Sequence, residues 1–463
     1  MRGKTMKFFL ILTIPILTLP ITLKTTFQIA PPKYIPGKEP SGVAYEILER
    51  IDEELKGIDV VWDGKYRNIG EVVDLLERCE IDLFVGMAKT GRRKKELAFS
   101  EYPLYSLRHA LLLRKESKGN LKVVTIGGTR SEEVLRETVE GNFEVFKLRD
   151  IEKAIEGLID GKFDGVFYNS LSLGYYSRIL GSEFTLRGLL SRKYYHYIAF
   201  SRCVSKKIIE EFNRVLWDLL RSGEVKEILE KYSLLEFVKP ANYVELANID
   251  WPPYEFVEDG SWKGIDAELV SRVLRDMGYE VEILRMNWSR IMEYLRKGII
   301  DGTFSLIETP DRREFLYFSD EPISSGIDGF LHRRSVEVDP EKPLLCGYVR
   351  GYAYKDLLEG TNFVPVPVSD DETGVKLLAA GRLDLFLVNN LVGKYYSRKY
   401  GLDLEFTPAS EVRLYRLALS KVDEFHERIL EEFSRRLRIF KKTKDYEEIL
   451  EEYGLTYEDV WGR

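Results

Sequence analysis

The chain has 463 residues, enough for roughly two to four domains, and 44% of them are hydrophobic, ample material for cores. Its 31% charged residues nearly balance at a net charge of -7 without a basic stripe, which argues against nucleic acid as a partner. Cys79, Cys203 and Cys346 are odd in number and far apart, so the sequence predicts small buried hydrophobes, with neither a disulfide framework nor a cysteine metal site.

In chain order, Arg2, Lys4 and Lys7 lead into the apolar run 8–22, which has the length of a signal-peptide core and is short for a spanning helix. Residues 1–24 therefore predict export, as a cleaved signal or as a retained N-terminal anchor, with a buried first strand as the alternative. From there the chain repeats itself. Residues 86–101, "GMAKTGRRKKELAFSE", return as residues 305–320, "SLIETPDRREFLYFSD", and residues 159–178 return without a gap as 379–398. A constant offset means one duplicated unit: residues 25–236 and 243–458, joined by a linker over 237–242. A single glutamine among abundant Glu, Lys and Arg adds a thermophile-like composition.

Inside each unit strands and helices alternate. In the second, strand "YVELANI" is followed by an amphipathic helix with apolar Ala267, Val270, Val273, Leu274 and Met277, stopped by Gly278. Strand "EVEIL", a helix over 289–297, a strand over 301–306 and an arginine turn come next. This alternation predicts a mainly parallel sheet with helices on both faces, and ligands of such sheets sit beyond the carboxyl ends of strands. Arg93 and Arg312 fall there. An arginine fixed after a strand offers a fork of donors suited to a carboxylate; a lone copy would read equally as a solvated turn residue, but both units carry it. In the loop "DWPPYEF" two prolines stiffen the chain, so Trp251 and Tyr254 are expected to project as flat plates, with Trp288 heading the next helix; ordinary core aromatics are the competing reading. Gly351 and Tyr352, and Gly128 and Thr129, stand where a strand turns into a helix, whose free amides suit an anion as readily as they form a plain turn. Asn389 and its twin Asn169 close strands with neutral amides that move no proton.

The ordered set "WPPYEFV", "GIDAELV", Trp288, "IDGTFSLIETPDRREFLYFSD", "GYVRGYAYKDLL" and "AAGRLDLFLVNN" resembles the family 3 extracytoplasmic solute-binding proteins, the polar amino-acid receptors of ABC importers, and it does so twice over. The resemblance implies α/β modules of the periplasmic-binding-protein type II, each of two lobes joined by two crossing strands that close on a ligand like a flytrap. By that likeness Arg312 clamps a ligand carboxylate, Trp251 and Trp288 flank its side chain, and the Gly351 and Tyr352 amides complete the cradle; Arg93, Gly128 and Thr129 repeat these roles. Binders of this family usually place an Asp where Asn389 and Asn169 stand, so Asp250 or Glu308 is expected to supply the missing charge in the second unit. In the first unit Ala30 and Lys33 replace Trp251 and Tyr254, Lys89 replaces Glu308, and Tyr66 is the candidate for Trp288. That cleft is expected to be more basic, taking an anionic or dicarboxylate ligand or serving only as scaffold. The implied protein is a monomeric receptor without cofactor, metal or catalysis, serving an ABC permease or a membrane sensor. A cyclohexadienyl-dehydratase-like enzyme is the alternative from another class, lacking its expected acid at Asn389 and Asn169.

Overall fold

The computed structural model describes residues 20–117, 119–188, 191–350 and 355–462. Most of the leader lies outside the described residues; residues 21–24 open strand Ile21–Gln28, the first strand of a lobe. The helix expected after the first strand of the second unit spans Ile265–Asp276 and buries Ala267, Val270, Val273 and Leu274 on one face. It starts at Gly264 because only a glycine fits there: φ is 110°, and a Cβ would stand 2.4 Å from the Tyr254 carbonyl oxygen.

Each unit folds into two lobes. In the first unit a seven-stranded sheet holds Ile58–Arg67, Ile21–Gln28 and Leu83–Ala88 in parallel, with Tyr194–Phe200 returning antiparallel beside them. The other lobe is a five-stranded sheet in which Phe143–Leu148, Leu121–Ile126 and Gly165–Asn169 are parallel and His109–Arg114 and Phe184–Gly188 are antiparallel. The second unit repeats this plan. Glu280–Arg285, Tyr243–Asn248 and Gly302–Ile307 run parallel against the returning strand Arg413–Ser420, and a five-stranded sheet forms its second lobe. The sheets are therefore less parallel than the alternation suggests. The strands that enter a lobe from a crossing, His109–Arg114 and Tyr194–Phe200 in the first unit and Asp328–Arg333 and Arg413–Ser420 in the second, run against the parallel strands of that lobe. The crossings include residues 107–109 and 191–194 in the first unit, and 326–328 and 408–413 in the second.

One expectation is overturned. Cys79 and Cys203 form a disulfide across a sequence separation of 124. Cys79 follows helix Ile69–Glu77, and Cys203 follows strand Tyr194–Phe200, whose end pairs with the start of Leu83–Ala88. Sheet registry, which spacing does not reveal, brings their Cα atoms to 6.1 Å. Cys346 is free and buried. Among the described residues no helix is long and apolar enough to cross a membrane.

Candidate functional site

The three parallel strands of the second unit end on one rim, and the predicted residues gather there. Thr309 caps the short helix Pro310–Arg313 by accepting from the Arg312 amide at 3.4 Å. The cap turns the Arg312 side chain back, so its guanidinium donates to the Ile307 carbonyl at 2.6 Å and lies 5.7 Å from the centre of the Trp288 ring. Trp288 is held there as the first residue of helix Trp288–Lys297, capped by Asn287. Arg312 is half-buried, burial lowers its pKa, and among the described residues no carboxylate pairs with it. Its remaining donors suit a ligand carboxylate.

Trp251 and Tyr254 do not stand out as a pair of plates. Tyr254 is fully buried and Trp251 stacks on it at 4.4 Å, with Tyr415 edge-on to Trp251 at 5.4 Å. The Tyr254 hydroxyl lies 3.0 Å from Asn389 Oδ1 and 3.1 Å from the Ser325 carbonyl, and Asn389 Nδ2 donates to the Tyr415 hydroxyl at 3.1 Å. Asn389 Oδ1 also accepts from the Leu391 amide at 3.0 Å, capping helix Asn390–Lys399. The fully buried Asn389 is thus a latch between the lobes, set against the crossing strand at Gly326, where an added Cβ would come within 2.3 Å of Nδ2. Sequence reasoning missed Tyr415, which lies in a returning strand without a motif.

Neither acid proposed for the missing charge is free. Asp250 pairs with Arg285 and accepts from the Val257 amide at 3.1 Å. Glu308 pairs with Arg313 and, at 3.4 Å, with Arg416. A different acidic pair was not foreseen. The Ser305 hydroxyl lies 2.6 Å from Glu255 Oε2 and 2.8 Å from Asp266 Oδ2, and Ser324 donates to the latter at 2.7 Å. Both carboxyls are sealed from solvent. Burial pushes Asp266 up to about 7 against the opposing hydrogen bonds of Ser324 and Ser305 and the charge of Lys441, and burial followed by Asp266 raises Glu255. Two acids in one glycine-framed loop and helix start were the available sign.

In the first unit the twin arginine repeats the geometry. The Arg93 amide bonds Thr90 Oγ1 at 3.4 Å and its guanidinium donates to the Ala88 carbonyl at 3.1 Å. Lys33 occupies the place of Tyr254 and is buried, its ammonium donating to Gln28 Oε1 at 2.7 Å and to the Gly86 carbonyl at 3.2 Å. Burial, then Arg93, brings its pKa down to about 7. Burial also lowers Arg93, with Tyr168 of the opposite lobe acting against it. Among the described residues neither cation has a carboxylate partner. Asn169 caps helix Ser170–Leu180 through the Ser172 amide at 2.8 Å, as Asn389 does in the second unit.

Three assignments change. The capping asparagines, Asn287 and Asn68, align the two helices and place Ile69, rather than Tyr66, opposite Trp288; the three extra residues fall in strand Ile58–Arg67. Lys89 points away from the cleft, to Glu424 of the second unit at 3.4 Å and over the Tyr197 ring. The turn at Gly128 and Thr129 precedes helix Ser131–Thr138 by a residue: the Thr129 hydroxyl donates to the Ile126 carbonyl at 2.6 Å and accepts from the Ser131 amide at 3.3 Å. A Cβ on Gly128 would lie 3.9 Å from Ile69 Cγ2, so the two lobes of the first unit approach each other there. Gly351 and Tyr352 lie outside the described residues.

Two α/β lobes around a rim with an unpaired arginine, built twice, define a solute-binding class of protein. The model of the bacterial extracellular solute-binding proteins, family 3, matches residues 21–235 and again 246–456, and the chain belongs to that family as a tandem duplication. The chain is similar to the arginine-binding extracellular protein ArtP of Bacillus subtilis (strain 168), with 31% identity over 72 residues, 15% of this chain and 28% of ArtP, well under two thirds of that relative. Among solved structures, the periplasmic domain of BvgS from B. pertussis aligns with 93% of this chain and 88% of its own at 17% identity and a TM-score of 0.37. The ancestral amino acid-binding protein AncCDT-1, a precursor of cyclohexadienyl dehydratase, aligns with 46% of this chain and 95% of its own at 18% identity and a TM-score of 0.40.

Proposed function

We propose that the protein is an exported receptor that captures small carboxylates, an amino acid in the second unit and a more strongly anionic ligand in the first, for delivery to an ABC importer. The observation that carries this reading is the pair Arg312 and Arg93, each shielded at a strand end, bonded back to a carbonyl, and left without an acid among the described residues. An unpaired, partly desolvated guanidinium is costly unless a ligand completes it. Arg312 against Trp288 suits an α-carboxylate beside an apolar or flat side chain. Lys33 and Arg93 suit a dicarboxylate such as glutarate. Closure follows from ligand contacts made only when both lobes meet.

Binding, not catalysis, is proposed because the Asn389 and Asn169 amides already serve helix caps and the one acidic pair nearby is sealed. A sensor without transport is the second reading, favoured by a buried junction that ties the crossings of the first unit to the second, which cargo delivery does not require. The test is calorimetry of the whole chain with arginine, other amino acids and dicarboxylates, on wild type, Arg312→Met and Arg93→Met. Each substitution should weaken one binding event by about 10- to 100-fold, the worth of one charge-assisted bond of about 1.5–3 kcal/mol. Amino-acid binding that survives both substitutions unchanged would overturn the proposal.

A further inference from the structure

The two crossings of the first unit do not hang free between its lobes. Arg108, in the first crossing, donates to Glu245 Oε2 at 3.3 Å and to the Ile299 carbonyl at 2.5 Å, both in the first lobe of the second unit. The same guanidinium donates to the Ser191 carbonyl at 3.0 Å, tying the first crossing to the second. Lys193, in the second crossing, donates from its amide to the Gly298 carbonyl at 2.9 Å; its ammonium meets Glu245 Oε2 at 2.7 Å and Asp301 Oδ2 at 2.9 Å. Next to it, Arg192 donates to the Lys421 carbonyl at 2.8 Å. Lys193 and Asp301 are 4% and 2% exposed, so water does not compete for this pair. Against burial, which raises it, Lys193 and then His426 hold the Asp301 carboxyl below its usual range. The returning strand of the first unit extends the junction: Tyr195 meets His426 Nε2 at 2.8 Å, and Tyr197 donates to Asp423 at 2.6 Å.

The duplication supplies an internal control. Both units close their crossings with the same serine bond, His109 amide to Ser191 Oγ at 3.2 Å and Asp328 amide to Ser410 Oγ at 2.9 Å. The positions that correspond to Arg108, Lys193 and Tyr195 in the second unit are Ile327, Val412 and Leu414, and Val412 and Leu414 are 52% and 41% exposed. The crossing geometry is thus shared, while the charged grip belongs to the first unit alone.

We propose that the first lobe of the second unit clamps the hinge of the first unit through Arg108 and Lys193, so that the lobe angle of the first cleft is set by its neighbour and the two clefts are allosterically coupled. A hinge can bend only where its residues are free to change dihedral angles, and here those residues are bonded to a second body. Whatever displaces Glu245 and Asp301 displaces the hinge, and by linkage the lobe angle of the first unit acts back on the second. This holds whichever ligand each cleft takes.

The test measures lobe separation in the whole chain by pulsed electron resonance, in a Cys346→Ser background that keeps the Cys79–Cys203 bond. One label pair, Lys56→Cys and Lys162→Cys, spans the first cleft; a control pair, Lys444→Cys and Lys342→Cys, spans the second. Glu245→Gln and the double variant Lys193→Met/Asp301→Asn should each shift or broaden the first-cleft distance distribution more than the control. If the double variant fails to fold, the single variant Glu245→Gln, at a side chain 19% exposed, decides alone. A first-cleft distribution that superposes on wild type in a folded Glu245→Gln chain overturns the clamp, as does equal broadening of both pairs, which would mark the junction as packing only.

Discussion

Replacing Lys33 with Met tests the physical reading of the first cleft most directly. Lys33 is a buried ammonium whose pKa falls from 10.5 to about 7, first through burial and then through Arg93. At about 1.4 kcal/mol per pH unit, this sets a ceiling of about 5 kcal/mol on what the charge costs the fold. The bonds to Gln28 and Gly86 offset part of it, at about 1 kcal/mol each once Met has removed them. Met keeps the stem's packing near Tyr34 and Phe84, so Lys33→Met should stabilise the chain by about 1–3 kcal/mol near pH 6, in the range seen when buried charges give way to apolar groups. A lowered lysine pKa means that the unfolded chain binds the extra proton, so the penalty is full below about pH 7 and fades toward 10.5. The wild type should therefore gain on the variant by about 2 kcal/mol between pH 7 and 9. Urea unfolding of both proteins across that range measures the difference. Parallel pH curves, or a variant less stable at pH 6, would refute the account of Lys33 as an unpaired cation awaiting an anion.

The same residue makes a binding prediction: an anion such as glutarate should draw a proton onto Lys33 near pH 8, seen as a calorimetric enthalpy that changes with the ionisation heat of the buffer. Asp266→Asn should be more favourable to stability at pH 8 than at pH 5 by about 2–3 kcal/mol, because the loss accumulates from the ordinary 3.8 up to about 7. The native carboxyl, raised to about 7, favours folding while protonated and loses that advantage as pH rises through 7, so thermal melts at the two pH values check the sign. Cys79→Ser with Cys203→Ser opens a bridge between residues 124 apart and should cost about 2–5 kcal/mol by urea unfolding. Tyr254→Phe removes the hydroxyl that meets Asn389 and Ser325, and should cost about 1–2 kcal/mol while leaving Arg312 in place, as fluorescence-detected unfolding would show.

How far the sequence carried this reading depends on whether a feature was local. The strand ends, the helix over 265–276 and the arginine turns were legible because apolar period, glycine stops and threonine caps act within a few residues. Repetition then identified Arg93 and Arg312 as more than surface charges. What escaped was set by registry between distant strands: Cys79 against Cys203, Tyr415 against Trp251, and Glu308 against Arg416. The loop prolines did stiffen the chain around Tyr254, but they turned its ring inward, because the hydroxyl could meet Asn389 only by crossing to the second lobe. Ile69 was mistaken for Tyr66 because the insertion lies in a strand, where length is free to vary, while the capping asparagine is not.

The divergence of the two units is paired rather than random, and this gives the duplication its physical sense. Where the second unit sets Glu308 against Arg416 at 3.4 Å, the first sets Lys89 over the Tyr197 ring, and both of those residues then turn to the neighbouring unit, at Glu424 and Asp423. Where the second unit buries Tyr254 with Tyr415, the first buries Lys33 close to His196, whose pKa is driven well below the usual value by burial, Lys33 and Arg93. The first change converts an internal ion pair into an intermodular one, and the second exchanges a neutral latch for a cation without an acid. A single copy could not hold both arrangements, since the same positions would have to be acidic and basic, tyrosine and lysine. Two copies separate the tasks, and the grip on Arg108 and Lys193 joins them again into one responsive body.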